Sequence, residues 1–166
     1  CDCAHLLASF EYDRNSFASG VSELHFNLDK FFYDYFLKYY PDKLIIPSLD
    51  IVITEKCSLK CRDCANLMQY YTHPQDVDYD KLFNSLDILM QSVDHVLEFR
   101  ILGGETFMNR SAHQYIERLR LYGNYTRIAV YANGSIVPGG ENLRCLTHND
   151  TYLRISDYGK VSRNLS

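Results

Sequence analysis

A parallel α/β sheet is the fold this sequence predicts, and three observations predict it. Apolar runs of strand length alternate with amphipathic stretches of helix length, turn residues bound the runs, and chemically distinctive residues follow each run. Strand, helix, strand, helix, strand, short helix, strand is the rhythm of βαβ units, whose strands are parallel and whose crossovers are right-handed. The 166 residues suit one ordinary domain, and 46% hydrophobic with 14% aromatic residues supply a sizeable core.

The elements follow in order. Leu24, Leu28, Phe31, Phe32, Tyr35, Phe36 and Tyr39 recur at helical spacing until Pro41 ends the pattern. This is an aromatic amphipathic helix whose stripe is expected to pack into the core. LDIVITE, from Leu49, is a strand, followed by a loop rich in cysteine. Tyr79, Leu82, Phe83, Leu86, Leu89, Met90 and Val93 then form one apolar helix face, with Asp78 placed as N-cap. HVLEFRIL is a second strand ending at Gly103, and Ala112, Tyr115, Ile116, Leu119 and Tyr122 mark a helix closed by Gly123. TRIAVYA and TYLRIS are the third and fourth strands, with a short helix near Leu143 between them.

Charge narrows the function classes. Against 21 acidic residues stand 17 basic ones, a net charge of −4, so the electrostatic footprint of a nucleic-acid binder is missing. No apolar run approaches the ~20 residues of a membrane span, and the compartment expected is the cytoplasm. Four N-x-[ST] matches, at Asn124, Asn133, Asn149 and Asn164, accompany six cysteines. Half of those cysteines fall in one loop of a chain with long periodic segments, which favours reduced thiols over a disulfide framework.

In parallel α/β folds ligands bind at the carboxyl ends of the strands. After the first strand come Cys57, Cys61 and Cys64, spaced C-x3-C-x2-C. Three thiolates on one loop hold three corners of an iron–sulfur cube and leave the fourth iron open; a zinc site completed by His73 or Cys145 is the alternative, and spacing alone leaves both open. Gly103, Gly104 and Glu105 follow the second strand, where glycines permit close backbone approach and a carboxylate suits an ammonium group. Asn133-Gly134 follows the third strand, a turn signal by itself. Ser156 and Asp157 follow the fourth, placed to hydrogen-bond a ribose or to cap a helix.

C-x3-C-x2-C, GGE, NG and a Ser/Asp pair, at the ends of four successive strands, resemble the radical S-adenosylmethionine (SAM) enzymes. The resemblance covers Leu49 to about Ser162. It implies a partial (β/α)6 TIM-like barrel over residues 48–166; residues 1–47 lie outside the resemblance, and their periodicity makes them an N-terminal helical extension. It also implies that Cys57, Cys61 and Cys64 ligate a [4Fe–4S] cluster whose open iron is chelated by S-adenosyl-L-methionine. Gly103, Gly104 and Glu105 then meet the methionyl amine, Asn133 lies close to the cofactor, and Ser156 with Asp157 contact ribose or carboxylate. The implied activity is reductive cleavage of SAM to a 5′-deoxyadenosyl radical that abstracts a substrate hydrogen, with flavodoxin or ferredoxin as electron donor.

Asp63 stands where the family often has an aromatic or aliphatic residue, and Thr106 where it often has proline. The fifth and sixth strands of such a barrel are missing, so the chain is expected to be an incomplete part of an enzyme. CANLMQYY and ISDYG look similar to bacterial radical SAM proteins of cell-surface carbohydrate pathways. The rival expectations are a peptide-modifying radical SAM enzyme with a further auxiliary-cluster domain, and a non-catalytic zinc- or cluster-binding module.

Overall fold

The computed structural model describes residues 21–156, and their side chains from Lys30 onward. Helix α1 (Val21–Tyr39) stops two residues before Pro41, whose ring and missing N–H forbid another turn. Its aromatic stripe departs from expectation. Phe31, Tyr35 and Tyr39 are exposed, and Phe36 stacks on His95 with ring centroids 6.0 Å apart. Helical spacing tells which residues share a face but not whether anything covers it: Phe31, Tyr35 and Tyr39 lie at the surface, Phe32 and Phe36 are half-buried, and the side chains of Leu24 and Leu28 lie outside the described residues.

Two strands follow, β1 (Ile45–Ile46) and β2 (Leu49–Thr54). Both pair in parallel with β3 (His95–Gly103), β1 at His95 and Val96 and β2 from Phe99 onward. They form a single edge position interrupted at Pro47, which has no N–H for the ladder. β4 (Tyr125–Ala132) pairs with β3, and β5 (Thr151–Ile155) with β4, again in parallel. The α/β class with a parallel sheet is therefore what the sequence led one to expect. Strand positions run across the sheet in chain order without reversal. Among the described residues the sheet is open and four positions wide.

Helices α2 (Tyr79–Met90), α3 (Ala112–Arg120) and α4 (Gly140–Cys145) connect these strands. Asp78 caps α2 as expected, accepting from the Lys81 amide at 3.0 Å. Gly123 takes φ +71° just beyond α3, a conformation that is strained for a residue with a Cβ.

Strand alternation sorts the sheet into two unlike faces. Ile51, Ile53, Phe99, Ile101, Ile128 and Val130 meet Phe83, Leu86 and Met90 of α2 and Ile116 and Leu119 of α3 in one core. Each such aliphatic side chain contributes roughly 1.5–3 kcal/mol by leaving water. The intervening residues Asp50, Glu98, Arg100, Arg127, Tyr131, Tyr152 and Arg154 face the other way and are polar. Glu98 is 1% exposed, yet Arg100, on the same strand, keeps access to water. Polar clamps hold the helices in register: Arg118 Nη2 donates to both Asp87 carboxylate oxygens, at 2.7 and 2.9 Å, and Arg120 reaches the Cys145 carbonyl and Thr151. No helix among the described residues is long and apolar enough to cross a membrane.

Candidate functional site

The cysteine loop leaves the sheet at the end of β2 and returns beside it. Glu55 N donates to the Gln75 carbonyl at 2.8 Å and Val77 N to the Ile53 carbonyl at 3.1 Å, closing the loop at its base. Asp76 tightens the closure, accepting from Thr54 Oγ1 and Lys56 Nζ at 2.7 Å each. Cys57, Cys61 and Cys64 stand on the closed segment, each half-buried and none in a disulfide.

Gly103 and Gly104 end β3 where that strand runs against the start of this loop. A Cβ on Gly103 would lie 2.4 Å from the Thr54 carbonyl oxygen, and one on Gly104 would lie 2.3 Å from the Lys56 oxygen and 2.6 Å from Cys57 Cβ. The glycines allow the backbone bonds Gly104 N to Thr54 O, 3.1 Å, and Glu105 N to Lys56 O, 2.8 Å. Their close approach is thus to the cysteine loop itself.

Glu105 is fully buried. Oε2 accepts from the Asn133 amide at 2.6 Å and Oε1 from the Phe107 amide at 3.3 Å. Burial pushes its carboxyl above the ordinary glutamate range, and the two amide donors offset only part of that. The carboxylate therefore ties the end of β3 to the end of β4. Asn133 carries the tie onward: its Nδ2 donates to Ser58 Oγ at 3.1 Å and lies 3.7 Å from Cys57 Sγ. Its Oδ1 accepts from the Ser135 amide at 2.9 Å, shaping the Asn-Gly turn. Ser58 and Ser135 share a hydrogen bond across the same gap.

These elements open a cleft of ≈ 580 Å³ at the carboxyl edge of the sheet, a size suited to a cofactor. Cys57, Cys61, Cys64, Gly103, Gly104, Asn133 and Ser156 all line it, so seven of the nine residues singled out from sequence converge there. Glu105 does not line it, and Asp157 lies outside the described residues. Burial raises the Cys57 thiol, and the neighbouring Cys61 and Cys64 add to the effect as thiolates. Cys145 is buried in α4, donates to the Asn142 carbonyl and has its pKa pushed up to about 11 by burial. It stands apart from the cleft. Among the described residues, no three His, Cys, Asp or Glu side chains are arranged to hold a metal ion. Gln69, on the same loop, has a buried Oε1 without a partner.

The chain matches no protein-family model and no curated protein. The site is read from its own chemistry.

Sequence reasoning missed two features. Ser58, Ser135, Thr54 and Asp76 fasten the loop, but their roles come from contacts between distant segments. The polar sheet face, with Glu98, Arg100, Arg127, Tyr131, Tyr152 and Arg154, did leave a signal: charges at alternate positions inside strands otherwise apolar.

Proposed function

We propose that this cleft is a radical SAM site: Cys57, Cys61 and Cys64 hold a [4Fe–4S] cluster, and the ends of β3, β4 and β5 receive S-adenosyl-L-methionine. The observation that carries the reading is that three thiols from one loop share a single cleft with Gly103, Gly104, Asn133 and Ser156, at the carboxyl edge of a parallel sheet. Chain-order strands, without a switch point, suit a partial (β/α)6 barrel better than a doubly wound sheet.

The donor chemistry fits such a cluster. Three soft thiolates repel one another until a cationic centre neutralises them, and among the described residues neither candidate fourth ligand for a zinc tetrahedron is at hand: Cys145 is committed to the core and His73 is exposed outside the cleft. The thiols must draw together on binding, which an irregular loop without helix or strand around the three cysteines permits. Held by Cys57, Cys61 and Cys64, such a cluster would supply the single electron that reductive cleavage of SAM requires.

The chain's own work is placement. Gly104 seats the cysteine loop against β3, Asn133 holds Ser58 beside Cys57, and Glu105 acts through the Asn133 amide as a positioning residue. Gly103, Gly104 and Ser156 present backbone and hydroxyl groups to the cleft. A one-electron protein donor of the flavodoxin or ferredoxin type is the partner this chemistry calls for.

The test is anaerobic reconstitution with iron and sulfide. The expected product is an oxygen-sensitive brown protein that releases 5′-deoxyadenosine from SAM under reduction. Cys57→Ala, Cys61→Ala or Cys64→Ala each abolishes the colour, whereas Cys145→Ala retains it. Stoichiometric zinc without iron overturns the reading.

A further inference from the structure

The cleft below the cysteine loop continues onto the polar face of the sheet, since Asp50, Leu102 and Tyr131 line its wall together with the cysteines. Register places Tyr131 beside Arg154, and Ala129 beside Tyr152, on β4 and β5. The Arg154 guanidinium lies 5.5 Å from the Tyr131 ring centroid and 5.3 Å from that of Tyr152. Two rings thus hold a half-buried cation on a rigid strand. Arg100 and Arg127 on the same face already bracket Glu98, and Asp50 lies 3.9 Å from Arg100. No carboxylate pairs with Arg154 among the described residues. Among the described residues the face carries the guanidinium groups of Arg100, Arg127 and Arg154 against the carboxylates of Asp50 and Glu98, in a chain whose net charge is −4. Positive charge gathered on one face of an acidic protein, with Arg154 matched by no carboxylate among the described residues, draws an anion there.

We infer that Arg154, set between Tyr131 and Tyr152, binds the anionic group of a small-molecule ligand, a phosphate or a carboxylate, whose remaining part lies in the cleft under Cys57, Cys61 and Cys64. Calling that ligand the substrate rests on the proposed function; the anion site itself does not. Arginine suits the role because its planar fork offers parallel donors to two oxygens. The strand register puts the anion two residue pairs below Asn133 and Ser156, on the same face, so a ligand anchored there has its neutral part directed toward the thiol loop.

The experiment titrates the full chain, labelled with 15N-arginine and without added metal, with pyrophosphate and separately with succinate. The Arg154 Nε–H resonance, assigned by its loss in Arg154→Met, should shift saturably with one of the two anions, which names the group. Binding by calorimetry should weaken at least tenfold in Arg154→Met and in part in Arg154→Lys, which keeps the charge and loses the fork. A wild-type protein in which neither anion moves that resonance overturns the inference, as does equal affinity in wild type and both variants. SAM cleavage by the reconstituted protein is scored separately. Cleavage without anion binding sinks only this inference, and anion binding without cleavage sinks only the radical reading.

Discussion

At the scale of single residues, Glu105 shows how a motif's carboxylate can serve the site without entering it. Both of its oxygens accept backbone amides, from Asn133 and Phe107, inside a fully buried pocket. Glu105→Ala leaves the Asn133 amide buried without an acceptor and should cost about 1–3 kcal/mol in urea unfolding. The pH dependence has a definite sign. Burial raises the folded-state pKa, so the stability Glu105 contributes is full below the unfolded value, about 4.3, and is lost as pH rises through the raised folded value. Glu105→Gln keeps an acceptor and has no charge to bury, so the gap between variant and wild type should move in the variant's favour as pH rises from 4 to 7. A gap independent of pH would show that the carboxyl titrates alike in both states. The residue's presence at the strand end was legible from sequence; its use was not, because nothing in Gly-Gly-Glu tells that Asn133, 28 positions on, supplies the donor.

At the scale of elements, the Gly103-Gly104 pair lets one backbone rest on another. Gly104→Ala sets a methyl 2.3 Å from the Lys56 oxygen and 2.6 Å from Cys57 Cβ, neither of which is the yielding end of a long side chain. The loop must move, at a cost of about 1–3 kcal/mol, and a chain of this size should lose about 2–4 °C of Tm for each kcal/mol. The cysteine loop should loosen with it, so Cys57 should alkylate faster than in wild type. Gly123→Ala is the contrast. No atom lies within 4 Å of its added Cβ, and the only cost is the left-handed φ, about 1–2 kcal/mol. It should lower Tm without changing Cys57 reactivity, and an equal rise in alkylation from both variants would refute the contact argument. Elements with strong periodicity and clear caps, such as α2 behind Asp78, were legible at once. The two-residue β1 was not, since Pro47 breaks its alternation, and the exposure of α1's rings depends on what packs beside them.

At the scale of the whole molecule, the sheet has an oily side that the helices cover and a charged side organised around Glu98. The parallel order was readable from the alternation of elements, but the charged side required the register, because Glu98, Arg127 and Tyr152 come from three strands. Arg100 Nε and Arg127 Nε each donate to Glu98 at 2.7 Å, and the Tyr152 hydroxyl donates to the same carboxylate. Burial is the largest single influence on this carboxyl and pushes its pKa up. Tyr152, Arg100 and Arg127 together outweigh it and hold the group below the ordinary glutamate range. A depressed folded pKa contributes stability that is present above the unfolded value and lost as pH falls through the folded one. Glu98→Gln removes the shared anion and leaves two guanidinium groups opposite a neutral amide. The loss near pH 7 should be about 3 kcal/mol, the lower end for a broken buried pair, because both arginines keep some access to water. As acid protonates the wild-type carboxyl, the two proteins become alike in charge at this point, so their denaturation midpoints should converge below about pH 4. A gap that stayed constant down to acid unfolding would mean that Glu98 holds β3, β4 and β5 together by shape rather than by charge.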